Sequence, residues 1–394
     1  MSKLGPPNRE VPARNSKLET RTSPVRIIAV ELFRLRLTWK RPFETSYGTL
    51  TEKETIIVRA RSADGLVGYG EAPALQIPYY LEEWTDSALL ALERFIVPSI
   101  LNQELGDAAA LEACYRWVRG SCAAKAGIEA AFWDIRAQEE GIPLHKLWGG
   151  HRDRIEAGIS LGAESELGRL IEKVGRAVED GYRRVKVKIM PGRDVEVIRV
   201  IREAHPDVAL MADANSAYAI SDAGHLRELD AFRLMMLEQP LGWDDILDHA
   251  ELQQEIDTPI CLDESIRSAG DAEKALRIGA ARIINVKPAR LGGYRQAMLT
   301  AGICAFRGAP AWCGGMFETG LGKAFNVHLS SLPSFNLPGD IASTDQYFER
   351  DVLVEPIVVD GEGCIRVPEN PGVGVEIDTA SLNSLRIGHR IIRA

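Results

Sequence analysis

From residue 151 onward, short apolar runs return about every 25 residues, and this repeat limits the architectures open to the chain. The runs cover residues 154–159, 184–189, 209–214, 234–238, 259–263, 283–287, 310–313 and 335–337. Between them lie amphipathic segments of helical length, such as 166–180 and 244–255. Strands separated by whole helices must run parallel, because a crossover of that length replaces the tight turn of a hairpin. Eight such strands predict a closed, TIM-like barrel of the (β/α)7β kind rather than an open doubly wound sheet. An open dinucleotide-binding sheet would carry a glycine fingerprint after its first strand. Ile159-Ser160-Leu161-Gly162-Ala163 is not one.

The first part of the chain has a different texture. Residues 27–37 and 55–61 are rich in strand formers, and Asp64-Gly65 supplies a hairpin turn before 66–69. Residues 83–102 and 107–140 follow with helical spacing and many alanines. Strands first and helices after predict an α+β unit. The stretch after residue 351 returns to strand-like patterns at 352–359 and 363–367, and is expected to pack back on that unit. The expected division is a disordered tail over 1–25, an α+β domain over 26–150, a barrel over 151–350, and a C-terminal segment over 351–394 that returns to the first domain. Residues 1–25 lack the apolar core of a secretory signal.

Composition excludes several classes. Forty-seven basic against 56 acidic side chains leave a net charge of −9, which argues against a nucleic-acid partner. There is no apolar run long enough to span a membrane. The six cysteines form no C-x-x-C pair and read as free thiols in a reducing cytoplasm.

In a parallel barrel, chemistry gathers where the strands end. Here the strands end in Lys186-Val187-Lys188, Asp213, Glu238, Asp263 and Lys287. Asp213, Glu238 and Asp263 recur at the βα period, so they are expected on adjacent strands at one height. Three converging carboxylates repel unless a cation joins them. An all-oxygen donor set favours Mg²⁺, with Mn²⁺ or another divalent cation able to substitute. Lys186 and Lys188 lie two apart and face one side of their strand. Lys287 is expected across the barrel from them. Two lysines on opposite walls of a metal site suit proton transfer at a carbon beside a carboxylate. One removes the α-proton, and the other delivers a proton to the opposite face or stabilises the anion as ammonium. A basic lysine must be neutral, and neighbouring cations lower its pKa.

This set resembles the enolase superfamily in its muconate-lactonizing subgroup. Several strings resemble the o-succinylbenzoate synthase/N-acylamino acid racemase family within it. They include Lys188-Ile189-Met190-Pro191-Gly192, Asp213-Ala214-Asn215, Glu238-Gln239-Pro240, Trp312-Cys313-Gly314-Gly315-Met316 and Leu337-Pro338-Gly339-Asp340. The resemblance implies an α+β capping domain, formed by 26–150 and completed by 351–394, over a (β/α)7β barrel. It implies metal ligands Asp213, Glu238 and Asp263, an acid/base pair Lys188 and Lys287, and Lys186 as the charge-supporting partner. It implies a dehydration in menaquinone synthesis, racemisation of N-acyl or N-succinyl amino acids, or both. A muconate cycloisomerase and a catalytically silent metal-binding homologue stay open as alternatives. Arg290 resembles an arginine of members with racemase activity. Pro42-Phe43-Glu44-Thr45-Ser46-Tyr47-Gly48 resembles a mobile capping loop, with Phe43 and Thr45 as candidate substrate contacts. Residues 72–80 would form a second specificity loop. Ser160, Asn215, Gly314, Gly315 and Met316 are the further candidate contacts at strand ends. The expected partner is a small carboxylate, and the family makes a homo-oligomer the expected assembly.

Overall fold

The structure, a computed structural model, describes residues 23–45 and 48–394, with only the backbone pairing of 43–45 and 48. Most of the tail assigned to 1–25 therefore lies outside the described residues, as do Ser46, Tyr47 and the side chains of Phe43 and Thr45.

Three antiparallel strands open the fold: β1 (Ile27–Thr45), β2 (Gly48–Ser62) and β3 (Val67–Ala72). Gly65 makes the β2–β3 turn with φ +89°, a conformation that glycine adopts without strain. β1 is buried on both faces. Val30 and Leu32 pack with the helices that follow, whereas Phe33, Leu35, Leu37 and Trp39 join the core around the barrel. The two-residue alternation of a strand produces that split. The helix Cys122–Glu139 lies directly on β3. A Cβ at Gly68 or Gly70 would sit 2.2 Å from a carbonyl oxygen of that helix, so two glycines permit the approach.

The second half begins with β4 (Arg154–Glu156), followed by β5 (Gly158–Leu161), β6 (Arg184–Lys188), β7 (Leu210–Asp213), β8 (Leu237–Glu238), β9 (Ile260–Leu262), β10 (Ile283–Val286) and β11 (Ala311–Cys313). Strands β5 to β11 form one parallel sheet in sequential order. Helices alternate with them, as the repeat requires. The helix Leu167–Glu179 buries Leu170, Val174 and Ala177 at helical spacing. The helix Ala269–Ile278 is capped by Ser268 at its start and by Gly279, at φ +77°, at its end. Met211, Met236, Cys261, Ile283 and Trp312 form a separate buried cluster contributed by successive strand units.

The eighth expected strand, at 335–337, is not a strand. Its place is taken by an irregular segment that still bonds to both sheet edges. Asn336 and Asp340 donate to Ala311 and Cys313, and Gly158 donates to Gly339. Pro338 sits where the middle donor of that ladder would be, and proline has no N–H to give. The Pro338 carbonyl instead accepts from the Arg184 guanidinium at 3.1 Å.

The C-terminal stretch divides its pairing. Residues 352–359 form no strand, unlike the expectation. β12 (Cys364–Arg366) pairs with β4, and β13 (Arg386–Arg393) pairs with β1 to give a capping sheet of order β13-β1-β2-β3. Among the described residues, no helix is long and apolar enough to cross a membrane.

Candidate active site

One pocket opens where the parallel strands end, under the loop 75–80 of the capping region. Lys186 and Lys188 of β6, Asp213 at the end of β7, Asp263 just beyond β9 and Lys287 just beyond β10 all line it. The β6 sequence explains the lysine placement. Val185 and Val187 are fully buried, so the alternate residues Lys186 and Lys188 share the other face. β7, β8 and β9 separate β6 from β10, which puts Lys287 on the wall opposite Lys188.

The carboxylates are not all level. Asp213 and Glu238 are register partners, but Glu238 pairs with Cys261, so Asp263 stands two residues further along its strand. The even offset keeps all three on one face. Glu238 is fully buried and does not itself line the pocket; it accepts from Lys186 Nζ at 3.1 Å and from Asn285 Nδ2 at 2.7 Å. Lys188 Nζ donates to Asp213 at 2.6 Å and to Asn215 Oδ1 at 2.5 Å. Lys287 Nζ donates to Asp263 at 2.9 Å and to the Tyr80 hydroxyl at 2.5 Å.

The electrostatics follow from burial and from these neighbours. Burial and the charges of Asp213 and Asp263 push Glu238 up to about 8, against the pull of Lys186. Burial also raises Asp213 and Asp263, but cations outweigh it. Lys188 and Lys186 hold Asp213 below its ordinary value, and Lys287 with Arg290 do the same for Asp263. Burial works against the Lys186 ammonium, yet Asp340, Glu238 and Asp213 together keep its pKa well above the usual lysine range. Trp312 supports the same charge, its ring centroid 5.2 Å from Lys186 Nζ.

The donor chemistry fits a hard divalent cation: three buried, mutually repelling carboxylates with oxygen as the only donor atom. As the side chains lie, lysine and arginine neutralise them, and no group of three metal-capable side chains encloses an ion site among the described residues.

The candidate substrate contacts fall into three groups. Ser160, Asn215, Gly315 and Met316 line the pocket. Gly314 does not, but a Cβ there would meet Asn285 Oδ1 at 2.1 Å and Lys287 Cε at 2.8 Å, so this glycine makes room for the lysine. Arg290 is placed behind the site rather than at the cavity. Its guanidinium is buried against Asp263, the Ile266 carbonyl and the Asn285 carbonyl, because the short helix Pro288–Leu291 turns it back toward β9.

Leu75, Tyr79 and Tyr80, from the loop expected at 72–80, also line the pocket, whereas Glu318, Lys323, Asp340 and Tyr347 carried no periodic signal. Asp340 pairs with Lys186 at 3.0 Å. Its place at the end of the eighth repeat, in the string Leu337-Pro338-Gly339-Asp340, was the clue available. Glu264, beside Asp263, accepts from Asn215 Nδ2 at 2.9 Å, and burial with the charges of Asp263 and Asp213 raises it to about 7.

With this geometry in view, the likeness to known proteins is extensive. Residues 29–149 match the family described as mandelate racemase / muconate lactonizing enzyme, N-terminal domain, and residues 169–381 match the enolase C-terminal domain-like family. An o-succinylbenzoate synthase of Geobacillus kaustophilus is 47% identical over 354 residues, covering 90% of this chain and 94% of that protein. An N-succinylamino acid racemase of Thermus thermophilus is 42% identical over 370 residues, covering 94% of this chain and 100% of that one. Among solved structures, an enolase-superfamily member from Listeria innocua superposes with a TM-score of 0.90 at 37% identity, over 94% of this chain and 99% of that one.

Proposed function

The chain belongs to the enolase superfamily, in its mandelate racemase / muconate lactonizing enzyme branch, and from that premise we propose that it removes the α-proton of a small carboxylate in two related reactions. One is the dehydration that gives o-succinylbenzoate. The other is racemisation of N-succinylamino acids. The relatives that bear those two names support the pair. The observation that carries the proposal is the position of Lys188 and Lys287 on opposite walls of one pocket.

In this reading, Lys188 takes the α-proton from one face of the substrate. For racemisation, Lys287 returns a proton to the other face, so the carbon inverts without net loss of atoms. For dehydration, Lys188 passes the proton it has taken to the departing hydroxyl, which leaves as water, while Lys287 stays charged and stabilises the anion. Lys186, fixed as ammonium by Asp340 and Glu238, balances negative charge at the substrate carboxylate. Asp213, Glu238 and Asp263 would hold Mg²⁺ or Mn²⁺. When bound, that ion supplies Lewis-acid stabilisation of charge developing on the substrate carboxylate. Tyr80 and Tyr347 roof the pocket and help to exclude water. Work within menaquinone synthesis, a cytoplasmic location and assembly as a homo-oligomer belong to the same proposal.

The test is incubation with Mg²⁺ in D₂O. Deuterium should enter the α-position of N-succinylamino acids, and the cyclohexadiene carboxylate precursor should lose water. Folded, metal-loaded protein that does neither overturns both arms.

A further inference from the structure

A groove of about 890 Å³ runs beside the pocket and shares Ser160 and Tyr347 with it. Its walls are the outer end of β1, the loops that follow β5 and β6, one side of the helix Leu167–Glu179 and residues 345–347. Six basic side chains line it against three acidic ones, Glu164, Asp180 and Asp345. That balance is opposite in sign to the whole chain, whose net charge is −9. Three of the basic residues are already neutralised: Lys173 by Glu164, Arg169 by Glu166 just before its helix, and Arg176 by Glu172 within it. Among the described residues, Lys40, Arg41 and Arg193 have no carboxylate partner, and Asp180 and Asp345 have no cation partner, which leaves three unpaired cations against two carboxylates; Arg193 donates to the Ser165 carbonyl at 2.6 Å. Lys40 is also held in place at the junction. Its backbone N–H donates to the Tyr347 carbonyl at 2.8 Å, and Trp39 bridges Phe348 beside it.

We propose that this groove is the subsite for the second negative charge of the substrate, with Lys40, Arg41 and Arg193 selecting dicarboxylates over monocarboxylates. The inference rests on the functional reading above and adds a specificity determinant to it. Lys188 and Lys287 serve the reacting carbon, and Lys186 serves the carboxylate attached to it. A succinyl arm ends in a second carboxylate several atoms away, and the groove next to Ser160 is where unpaired cations meet the pocket. Cations that line a cleft draw a dianion more strongly than a monoanion, both in encounter and in binding.

The experiment compares N-succinyl-L-phenylalanine with N-acetyl-L-phenylalanine on the Mg²⁺-loaded full chain. Wild type is compared with Arg41→Glu, Arg193→Glu and the double variant. These residues lie outside the catalytic pocket, and thermal melts verify folding. KM for the succinyl substrate should rise about tenfold in each single variant with kcat within twofold. KM for the acetyl substrate should stay within about twofold. Added salt should raise KM for the succinyl substrate in wild type and have less effect in the double variant. Equal effects on both substrates, or no effect on either, overturn the subsite while leaving the functional reading intact. Wild-type protein inactive on both substrates and on the dehydration overturns that reading and the subsite with it.

Discussion

The Tyr80 hydroxyl and the Lys287 ammonium, from the capping region and the barrel respectively, lie 2.5 Å apart and share Asp263 as a common acceptor. The tyrosine ring also flanks the lysine, with its centroid 4.5 Å from Nζ. This sets the lysine proposed to act at the second face of the substrate against a residue of a second structural unit. Tyr80→Phe keeps the ring and removes the hydroxyl. A hydrogen bond to a charged group is worth about 1.5–3 kcal/mol, so kcat should fall about 10- to 100-fold. The loss should be greater for the enantiomer whose proton faces Lys287. Unchanged kcat for both enantiomers would show that the hydroxyl does not position the lysine.

If the two lysines serve opposite faces, their removal should leave complementary halves of the reaction. Lys188→Ala and Lys287→Ala should each lose racemisation by about 10²-fold or more. Each should still exchange the α-proton of one enantiomer in D₂O, and not the same one. Proton NMR of each pure enantiomer reads this directly. Exchange of the same enantiomer by both variants contradicts the two-face assignment.

Metal dependence has a readout apart from turnover. Chelation should abolish activity and lower Tm, and Mg²⁺ should restore both. Ligand at about 100 times its Kd stabilises a native state by about 2.7 kcal/mol. Asp213→Asn should lose the Mg²⁺-dependent rise in Tm. A rise equal to that of wild type would remove Asp213 from the ligand set.

Glu129 gives a pH prediction away from the site. Burial raises it from an ordinary 4.5 to about 7, although its carboxylate accepts from the Arg295 N–H at 2.7 Å and from Trp133 Nε1 at 2.9 Å. A raised carboxyl pKa means that the folded state binds the proton more tightly than the unfolded chain. Stability should therefore fall as pH rises from 4.5 to 7 and level off above. Both donors reach the same oxygen, so Glu129→Gln can keep both hydrogen bonds through its carbonyl. The variant should match wild type near pH 4.5 and exceed it by about 3 kcal/mol above pH 7, as read by urea unfolding. A gain independent of pH would mean that Glu129 ionisation is not the cause.

The sequence repeat was a good guide where the chemistry is periodic. Lys186, Lys188, Asp213, Asp263 and Lys287 meet in one pocket because each ends a parallel strand, and strand ends recur with the repeat. Its failures have local causes. The eighth strand is lost to one missing donor at Pro338. The level placement of three acids failed because register, which sequence spacing does not encode, shifts Asp263 by two residues. Tyr80 lies in the loop 72–80 that the family resemblance singled out, and Tyr347 in a loop beyond the last repeat, but no spacing in the chain links either to the barrel. Arg290 has a side chain long enough to fold back into the wall, and only the structure reveals that direction.

The capping sheet joins distant parts of the chain. His389 of β13 contacts Glu31 of β1 across 358 positions of sequence. Pairing at such separation carries a large loop-closure cost and forms slowly. The barrel repeats, by contrast, pair with sequence neighbours. During synthesis, β1 to β3 emerge early and must wait for β13 to cover their edge. The edge of β1 is thus closed by the last strand to be made, so the sheet of the unit that carries Tyr80 is complete only when the whole chain has been synthesised.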